Sequence, residues 1–267
     1  RIGHPNVCRV HELFDDPVAD SVFLTMEYLP GETLAARLRR EGRLVPAEAR
    51  RFFEQIAAGL TAAHATGVVH RDLKPSNVML TADATTGQER AVVMDFGLAR
   101  ALDPSVSSDE AATRTGMVMG TPAYMAPEQI RGEAATPAAD IYALGLLLFE
   151  MLDGQVPFHG KNTMDSWMRR IREGPPALAA GDRVPGLDPR VDTVIARCLE
   201  YEPDARFATP MEAVGALSAK RKHGAWKMPK GSRWRWAAGL AALACASAVT
   251  YRLLTGGSAR VPEEARE

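Results

Sequence analysis

Thirteen consecutive residues, DIYALGLLLFEML from Asp140 to Leu152, are apolar on nearly every side when they are placed on a helix. A helix with apolar side chains all round must be covered by protein on every face. We therefore expect this segment to be the buried centre of a domain. Hydrophobic residues make up 46% of the 267-residue chain and charged residues 24%, which is typical of a globular protein with such a core.

Three further segments carry apolar residues at the spacing of amphipathic helices. The longest runs from Pro46 to Thr66, and the others cover 188–200 and 210–219. A short apolar run of strand length lies within 18–29. These patterns predict one compact, mainly helical unit that has a strand near its start.

Charge and cysteine content exclude several classes of function. The 32 Lys and Arg residues are balanced by 33 Asp and Glu residues, so the chain lacks the overall basic charge of a nucleic-acid-binding domain, and we expect no nucleic-acid partner. Cys8, Cys198 and Cys245 lie far apart. Their spacing argues against a disulfide framework and against a zinc site, and it favours a reducing compartment.

The C-terminal part of the chain has a different composition. Seven basic residues and no acidic one lie within 220–235, and three of the four tryptophans lie within 226–236. An apolar window long enough to cross a bilayer follows at 236–254, before a short polar tail at 255–267. The basic and aromatic flank predicts a single membrane-spanning helix, with the preceding chain in the cytoplasm and anionic lipids near the basic linker. The alternatives are an alanine-rich soluble helix for the apolar window and nucleic-acid binding for the basic run.

Polar side chains follow two short apolar runs. VVHRDLKPSNVML (Val68 to Leu80) and AVVMDFGLAR (Ala91 to Arg100) each begin like a strand and lead into a loop. The polar residues are Asp72, Lys74 and Asn77 on the first loop and Asp95 on the second. Carboxylate and amide oxygens suit a hard cation such as Mg²⁺ that holds phosphates, and a lysine supplies positive charge beside them.

These two strings resemble the catalytic loop and the metal loop of the protein kinase superfamily. GTPAYMAPE at 120–128 resembles the end of a kinase activation segment, Asp140 stands where the central helix of the family begins, and Arg206 stands where an arginine pairs with Glu128. HRDLKPSN together with GTPAY is similar to Ser/Thr kinases. MEYLPGETL and APEQ resemble bacterial transmembrane Ser/Thr kinases.

The resemblance covers residues 1–220 and implies an α+β, protein-kinase-like fold. A partial β-sheet N-lobe would occupy about 1–29 and a mainly helical C-lobe about 30–220, with the single transmembrane helix after it. The implied function is that of a kinase at the bacterial cell membrane, which transfers the γ-phosphate of ATP to Ser or Thr hydroxyls of protein substrates. ATP and Mg²⁺, or Mn²⁺, would be its cofactors.

The resemblance also implies roles for the polar residues. Asp72 would be the catalytic base, and Lys74 would neutralise charge on the transferred phosphate. Asn77 and Asp95 would hold the metal ions. Thr121 would form a hydrogen bond near Asp72 and favour Ser/Thr acceptors.

Three residues would contact the adenine of ATP. The backbone of Glu27 and Leu29 would meet the edge of the base, which requires no particular side chains. Met79 would pack under the ring, although a methionine in a strand is equally typical of a core.

Other residues would have scaffold roles. His70 would pack under Phe96 and connect the two loops without transferring a proton. Glu128 and Arg206 would form a buried ion pair that anchors the activation segment, and removal of either partner would be costly. Asp140 would accept hydrogen bonds from backbone N–H groups of the catalytic loop.

Arg71 directly precedes Asp72, a pattern that in the family marks activation by phosphorylation. Thr113 and Thr115 lie shortly before Gly120 and are the candidate phosphorylation sites. Autophosphorylation would be possible in a homodimer.

One part of the family pattern is missing from the sequence. It contains no glycine-rich phosphate loop and no lysine of the VAIK type. We therefore expect an N-terminally truncated kinase that by itself binds ATP poorly and transfers little phosphate. The alternative function is a pseudokinase scaffold that acts through protein binding, although pseudokinases commonly lack one of the four loop residues and this chain has them all.

Overall fold

The described part of the chain begins with a two-stranded antiparallel hairpin. The computed structural model describes residues 2–16, 21–83, 87–96, 123–158, 160–161, 163–173 and 184–218. Strand β1 is Val10–Asp16 and strand β2 is Ser21–Met26, and Phe14 lies opposite Phe23 across the pair. The strand predicted within 18–29 is confirmed as β2.

A second antiparallel sheet, of strand order β3–β4–β5, supports the loops that carry the polar side chains. Its strands are β3 (Glu32–Thr33), β4 (Val78–Ala82) and β5 (Glu89–Val93). Strand β5 ends two residues before Asp95, as the apolar run predicts. The strand-like start predicted at Val68 and Val69 is wrong. Val68 N–H instead donates to Ala63 O at 3.1 Å and completes the end of a helix, and the strand comes after the loop.

The helices pack around one central helix, α4. The α-helices in the described ranges are α1 (Leu34–Glu41), α2 (Pro46–His64), α3 (Pro127–Ile130), α4 (Pro137–Asp153), α5 (Thr163–Arg172), α6 (Arg190–Cys198) and α7 (Pro210–Ser218). Thirteen of the 17 residues of α4 are buried, which confirms the prediction from its apolar sequence. Helices α2 and α6 pack against α4, and α7 packs against α2.

The predicted helices agree with the observed ones to within three residues at each end; the largest difference is at α4, which begins at Pro137 instead of Asp140. Helix α2 ends at His64 instead of Thr66, and α6 covers 190–198 instead of 188–200. Helix α7 ends one residue earlier than predicted. Periodicity identified these helices because each has one apolar face toward the core.

Backbone geometry at the helix ends explains where two helices begin and end. The Thr33 hydroxyl accepts a hydrogen bond from Ala36 N at 3.1 Å and caps the first turn of α1. Helix α4 ends at Gly154, whose φ of 84° is unfavourable for other residues. A Cβ at this position would also lie 2.6 Å from Gly42 O, so glycine allows the α1–α2 connection to approach the end of α4.

Several predictions fall outside the described residues. They concern Thr113, Thr115, Thr121, the basic linker 220–235 and the apolar window 236–254. Within the described ranges, which end at residue 218, every helix is too short or too polar to span a bilayer. The proposed membrane span therefore stays a prediction.

Candidate active site

The loop between α2 and β4 brings three polar side chains together. Lys74 Nζ lies 2.6 Å from Asp72 Oδ2. Asn77 Nδ2 donates to the Asp72 carbonyl oxygen at 2.9 Å and lies 3.3 Å from Asp72 Oδ2. The short 3-10 turn Pro75–Asn77 provides this geometry, since Asn77 N donates back to Lys74 O at 2.9 Å. The Asp72 side chain remains 43% exposed, so an acceptor hydroxyl can approach its carboxylate.

The loop after β5 is hydrogen-bonded to this first loop. Met94 N donates to Asn77 O at 2.9 Å, and Met94 O accepts from His70 Nε2 at 2.8 Å. Asp95 comes next and has a left-handed φ of 59°, which aspartate tolerates better than most residues. The structure therefore places the loop of Asp95 directly beside the loop of Asp72.

His70 connects the two loops as a neutral imidazole. Its Nδ1 accepts from Asp72 N at 3.3 Å, so the proton resides on Nε2, which donates to Met94 O. Burial lowers the pKa of His70, and the nearby Asp140 and Asp72 carboxylates oppose that shift without overcoming it. The ring lies 4.7 Å from the Phe96 ring, centroid to centroid. Both ring nitrogens are occupied by backbone groups, which suits a structural role.

Asp140, in the first turn of α4, holds the start of the catalytic loop. Its Oδ2 accepts from His70 N at 2.8 Å and contacts His64 Nε2 at 2.7 Å, and its Oδ1 accepts from Arg71 N at 2.8 Å. The carboxylate is buried, and these donors replace the water that it loses. The buried central helix α4 thereby fixes the position of the backbone just before Asp72.

Asn77 and Asp95 carry amide and carboxylate oxygens, the kind of ligand that Mg²⁺ prefers. Mg²⁺ in phosphate-transferring sites is bound through few protein oxygens, and phosphate and water complete its shell. Asn77 donates its Nδ2 to Asp72, so its Oδ1, which accepts from Ser76 Oγ at 3.4 Å, is the oxygen left to bind a cation. In the described ranges no three His, Cys, Asp or Glu side chains come together as a metal site.

The sequence pattern of the protein kinase domain matches residues 1–216. The chain belongs to the protein kinase family. It is 37% identical over 227 residues to the serine/threonine-protein kinase PknA of Mycobacterium tuberculosis, an alignment that covers 83% of this chain and 49% of PknA. It is 40% identical over 207 residues to PkaA of Streptomyces coelicolor, covering 77% of this chain and 35% of PkaA.

A further relative is PknB of Mycobacterium tuberculosis, with 33% identity over 213 residues, 79% of this chain and 32% of PknB. The chain therefore spans at most about half the length of these relatives. All three are bacterial serine/threonine-protein kinases. Family membership implies the use of ATP and a divalent metal in general.

Glu128 and Arg206 form a buried ion pair in the kinase. Arg206 Nη1 and Nη2 donate to the two Glu128 carboxylate oxygens, each at 2.7 Å. The remaining N–H groups of Arg206 donate to backbone carbonyls at Ala138, Glu200 and Tyr201, so all five donors are satisfied. This pair joins α3 to the segment before α7, as the family resemblance implies.

The residues proposed to contact adenine lie beside the hairpin and the second sheet of the kinase. Glu27 N donates to Arg9 O at 2.9 Å, so its carbonyl is the group that remains for the base. Leu29 follows two residues later. Met79 is half-buried between the buried Val78 and Leu80, which places it on the opposite face of β4 from the core side.

Sequence reasoning missed a polar pair beside Lys74. The Tyr124 hydroxyl donates to Glu150 Oε2 at 2.7 Å, and both side chains line a cavity of about 340 Å³ together with Lys74 and Leu38. Burial raises the pKa of Glu150, and the hydrogen bond from Tyr124 partly offsets this rise. The sequence offered one indication of this pair, the carboxylate of Glu150 within the largely apolar α4 segment.

The segment after Thr121 is also held by a residue that the sequence did not single out. Arg170 of α5 is buried and donates through its guanidinium to the backbone carbonyls of Met125 and Ala123. Ala123 lies within the GTPAY motif and Met125 directly follows it, so α5 supports the segment that leads into α3. No short-range pattern predicts such a contact, because its partners are 45 or more residues apart.

Proposed function

We propose that this kinase transfers the γ-phosphate of ATP to Ser or Thr hydroxyls through Asp72, Lys74, Asn77 and Asp95. The observation that carries the proposal is the direct hydrogen-bonded link between the two loops, Met94 N to Asn77 O at 2.9 Å, beside the Lys74–Asp72 contact of 2.6 Å. In a pseudokinase scaffold these contacts would serve no chemistry. A catalyst requires all of them.

Asp72 orients the acceptor hydroxyl and accepts its proton. Its Oδ2 is held by Lys74 and Asn77, while the side chain stays partly exposed toward the incoming group. Lys74 lies next to that carboxylate and supplies positive charge for the transferred phosphoryl group, on whose oxygens negative charge develops during transfer. The group that is transferred comes from ATP bound with Mg²⁺, and Asn77 and Asp95 are the residues that would hold the cation.

The test is phosphate transfer from radioactive ATP by the kinase expressed from its complete reading frame. Asp72→Asn keeps the size of the side chain but removes the proton acceptor, so transfer should fall by about a hundredfold or more. Asp204→Asn is the matched control, because Asp204 is exposed and distant in sequence from both loops. Equal activity of Asp72→Asn and Asp204→Asn would contradict the proposal.

We also expect the 267 residues alone to transfer phosphate poorly, because the sequence lacks a glycine-rich phosphate loop and a VAIK-type lysine. A direct comparison of the 267-residue chain with the complete reading frame measures this. Equal kcat values would show that the missing motifs are dispensable.

Phosphorylation of Thr113 or Thr115 is the proposed activating event. Arg71 Nε is buried and has no hydrogen-bond partner among the described residues, which is a suitable environment for an added phosphate. Autophosphorylation in a homodimer would supply it. Phosphopeptide mapping of active enzyme should find one of the two threonines modified, and detection of neither would refute the proposal.

Membrane anchoring at the bacterial cell membrane is a separate proposal. It is supported by the basic and tryptophan-rich segment 220–236 followed by the apolar window 236–254. In a flotation assay the kinase should be recovered with lipid vesicles, and the recovered fraction should be larger when the vesicles contain anionic lipid. The double variant Arg233→Glu/Arg235→Glu should weaken the dependence on anionic lipid. Failure of the unchanged protein to float with any vesicle would refute anchoring.

A further inference from the structure

Gln129, the third residue of α3, connects this short helix to the catalytic loop. Its Oε1 accepts a hydrogen bond from Ala126 N at 3.0 Å, and its Nε2 donates to Arg71 O at 2.8 Å. The first bond is an ordinary helix cap within α3. The second joins residues that are 58 positions apart in sequence.

The carbonyl that Gln129 holds belongs to the peptide unit that leads into Asp72. The other polar atom of that unit, Asp72 N, donates to His70 Nδ1 at 3.3 Å. The preceding N–H, that of Arg71, donates to Asp140 Oδ1 at 2.8 Å. Three backbone groups next to the proposed base are therefore held by hydrogen bonds: Arg71 N, Arg71 O and Asp72 N. Gln129 holds the carbonyl, Arg71 O.

This backbone needs such support because Arg71 has a left-handed φ of 70°. A residue other than glycine is strained in this conformation, so it persists only where neighbouring groups enforce it. Without the Gln129 amide, the Arg71 carbonyl loses its partner, and one of the bonds that hold this peptide unit against rotation is lost. Rotation of that peptide would carry the Asp72 side chain with it.

We propose that Gln129 is a positioning residue, which orients Asp72 by holding the Arg71 carbonyl. The inference rests on the proposed function, since it assumes that Asp72 acts on the acceptor hydroxyl. Both hydrogen bonds of the Gln129 side chain are to backbone groups, so it acts through Asp72. Its loss should therefore lower kcat and leave the KM for ATP almost unchanged.

Two variants separate positioning from helix capping. Gln129→Glu keeps an oxygen that accepts from Ala126 N but has no N–H to donate to Arg71 O. Gln129→Met has a similar length and makes neither bond. If capping were the whole role, Gln129→Glu would behave like the unchanged enzyme.

Gln55 offers a matched control elsewhere in the chain. It is also half-buried, and its Oε1 accepts a hydrogen bond from Ala91 N of β5 at 2.7 Å. Gln55→Met makes the same chemical change and removes the same kind of side-chain-to-backbone bond. It should lower the melting temperature without a change in kcat.

The experiment is steady-state kinetics of these variants in the kinase expressed from its complete reading frame, with melting temperatures measured in parallel. We expect kcat to fall by about tenfold to a hundredfold in both Gln129 variants, with the KM for ATP within about twofold, as for a misplaced catalytic group. If Gln129→Met does not fold, Gln129→Glu carries the test alone, because it retains the helix cap. Unchanged kcat in Gln129→Glu, or an equal loss in Gln55→Met, would overturn the inference.

Asp72→Asn, measured beside them, separates failure of the positioning role of Gln129 from failure of the proposed function. If Asp72→Asn is inactive while the Gln129 variants keep full kcat, the positioning role is wrong and phosphate transfer through Asp72 stands. If Asp72→Asn retains full activity, the proposed function is wrong and the positioning role is wrong with it.

Discussion

Glu128 and Arg206 meet through two parallel hydrogen bonds of 2.7 Å although they lie 78 residues apart in sequence. Their side chains are 3% and 0% exposed, respectively. The Arg206 guanidinium also lies over the Tyr142 ring at 4.9 Å, so the pair is attached to the central helix α4. A charge in this position is tolerated only while its partner is present.

Arg206→Met should therefore lower the free energy of unfolding by about 3–5 kcal/mol, because it leaves the Glu128 carboxylate buried and unpaired. Urea unfolding measures the change. Arg131→Met is the control, since Arg131 pairs with Glu133 at a partly exposed site. This substitution should lower the free energy of unfolding by less than about 1 kcal/mol. Similar costs for the two variants would show that burial does not determine the strength of the pair.

The stability of the kinase should fall as the pH drops through about 6.5, and His70 should contribute to this fall. Burial lowers the pKa of His70, so the folded protein binds fewer protons there than the unfolded chain does. The free energy of unfolding then decreases toward low pH, by at most about 1.4 kcal/mol per pH unit from this residue. His70→Gln should show a shallower decrease between pH 7 and pH 5 in urea unfolding. An identical slope in both proteins would contradict a neutral, buried imidazole.

Tyr124→Phe should destabilise the kinase by about 1.5–3 kcal/mol, because it removes the hydrogen bond to the buried Glu150 carboxylate. The change also raises the pKa of Glu150 further, so the loss should be larger at pH 8, where the carboxylate must ionise, than at pH 5. Unfolding at the two pH values measures this. Tyr28→Phe, at a residue that is 88% exposed, should have no effect at either pH. A pH-independent loss in Tyr124→Phe would mean that the protonation state of Glu150 is the same at both pH values, which would contradict the prediction.

Replacement by alanine should change the stability of the kinase in opposite directions at two helical glycines. A Cβ at Gly145 of α4 would lie 2.5 Å from Cys198 Cβ of α6, so Gly145→Ala should cost about 1–3 kcal/mol as the helices are pushed apart. Gly215 of α7 is exposed, and among the described residues no atom outside its own helix lies within 4 Å of a Cβ there. Gly215→Ala should gain about 0.5–1 kcal/mol from the reduced freedom of the unfolded chain. Thermal unfolding of both variants checks the opposite signs.

Helix positions could be predicted well from the sequence, and strands less well. Helix α4 is apolar on every side, and α2 has one apolar face, so periodicity identified both. The strand-like start at Val68 and Val69 was wrong, because two apolar residues do not distinguish a strand from the end of a helix. Strand β3, with only two residues, has no recognisable pattern of its own and exists because β4 pairs with it.

The sequence by itself determined the family, the order of helices α2, α4, α6 and α7 and the residue types at the site, because motifs such as HRDLKPSN and an apolar central helix are local properties of the chain. Only the tertiary structure decided which groups meet. Asp140 accepts from His70 N across 70 residues, and Gln129 donates to Arg71 O across 58. Such contacts depend on how the helices pack in space, and a hydrogen bond between distant residues leaves no periodic signal in the sequence.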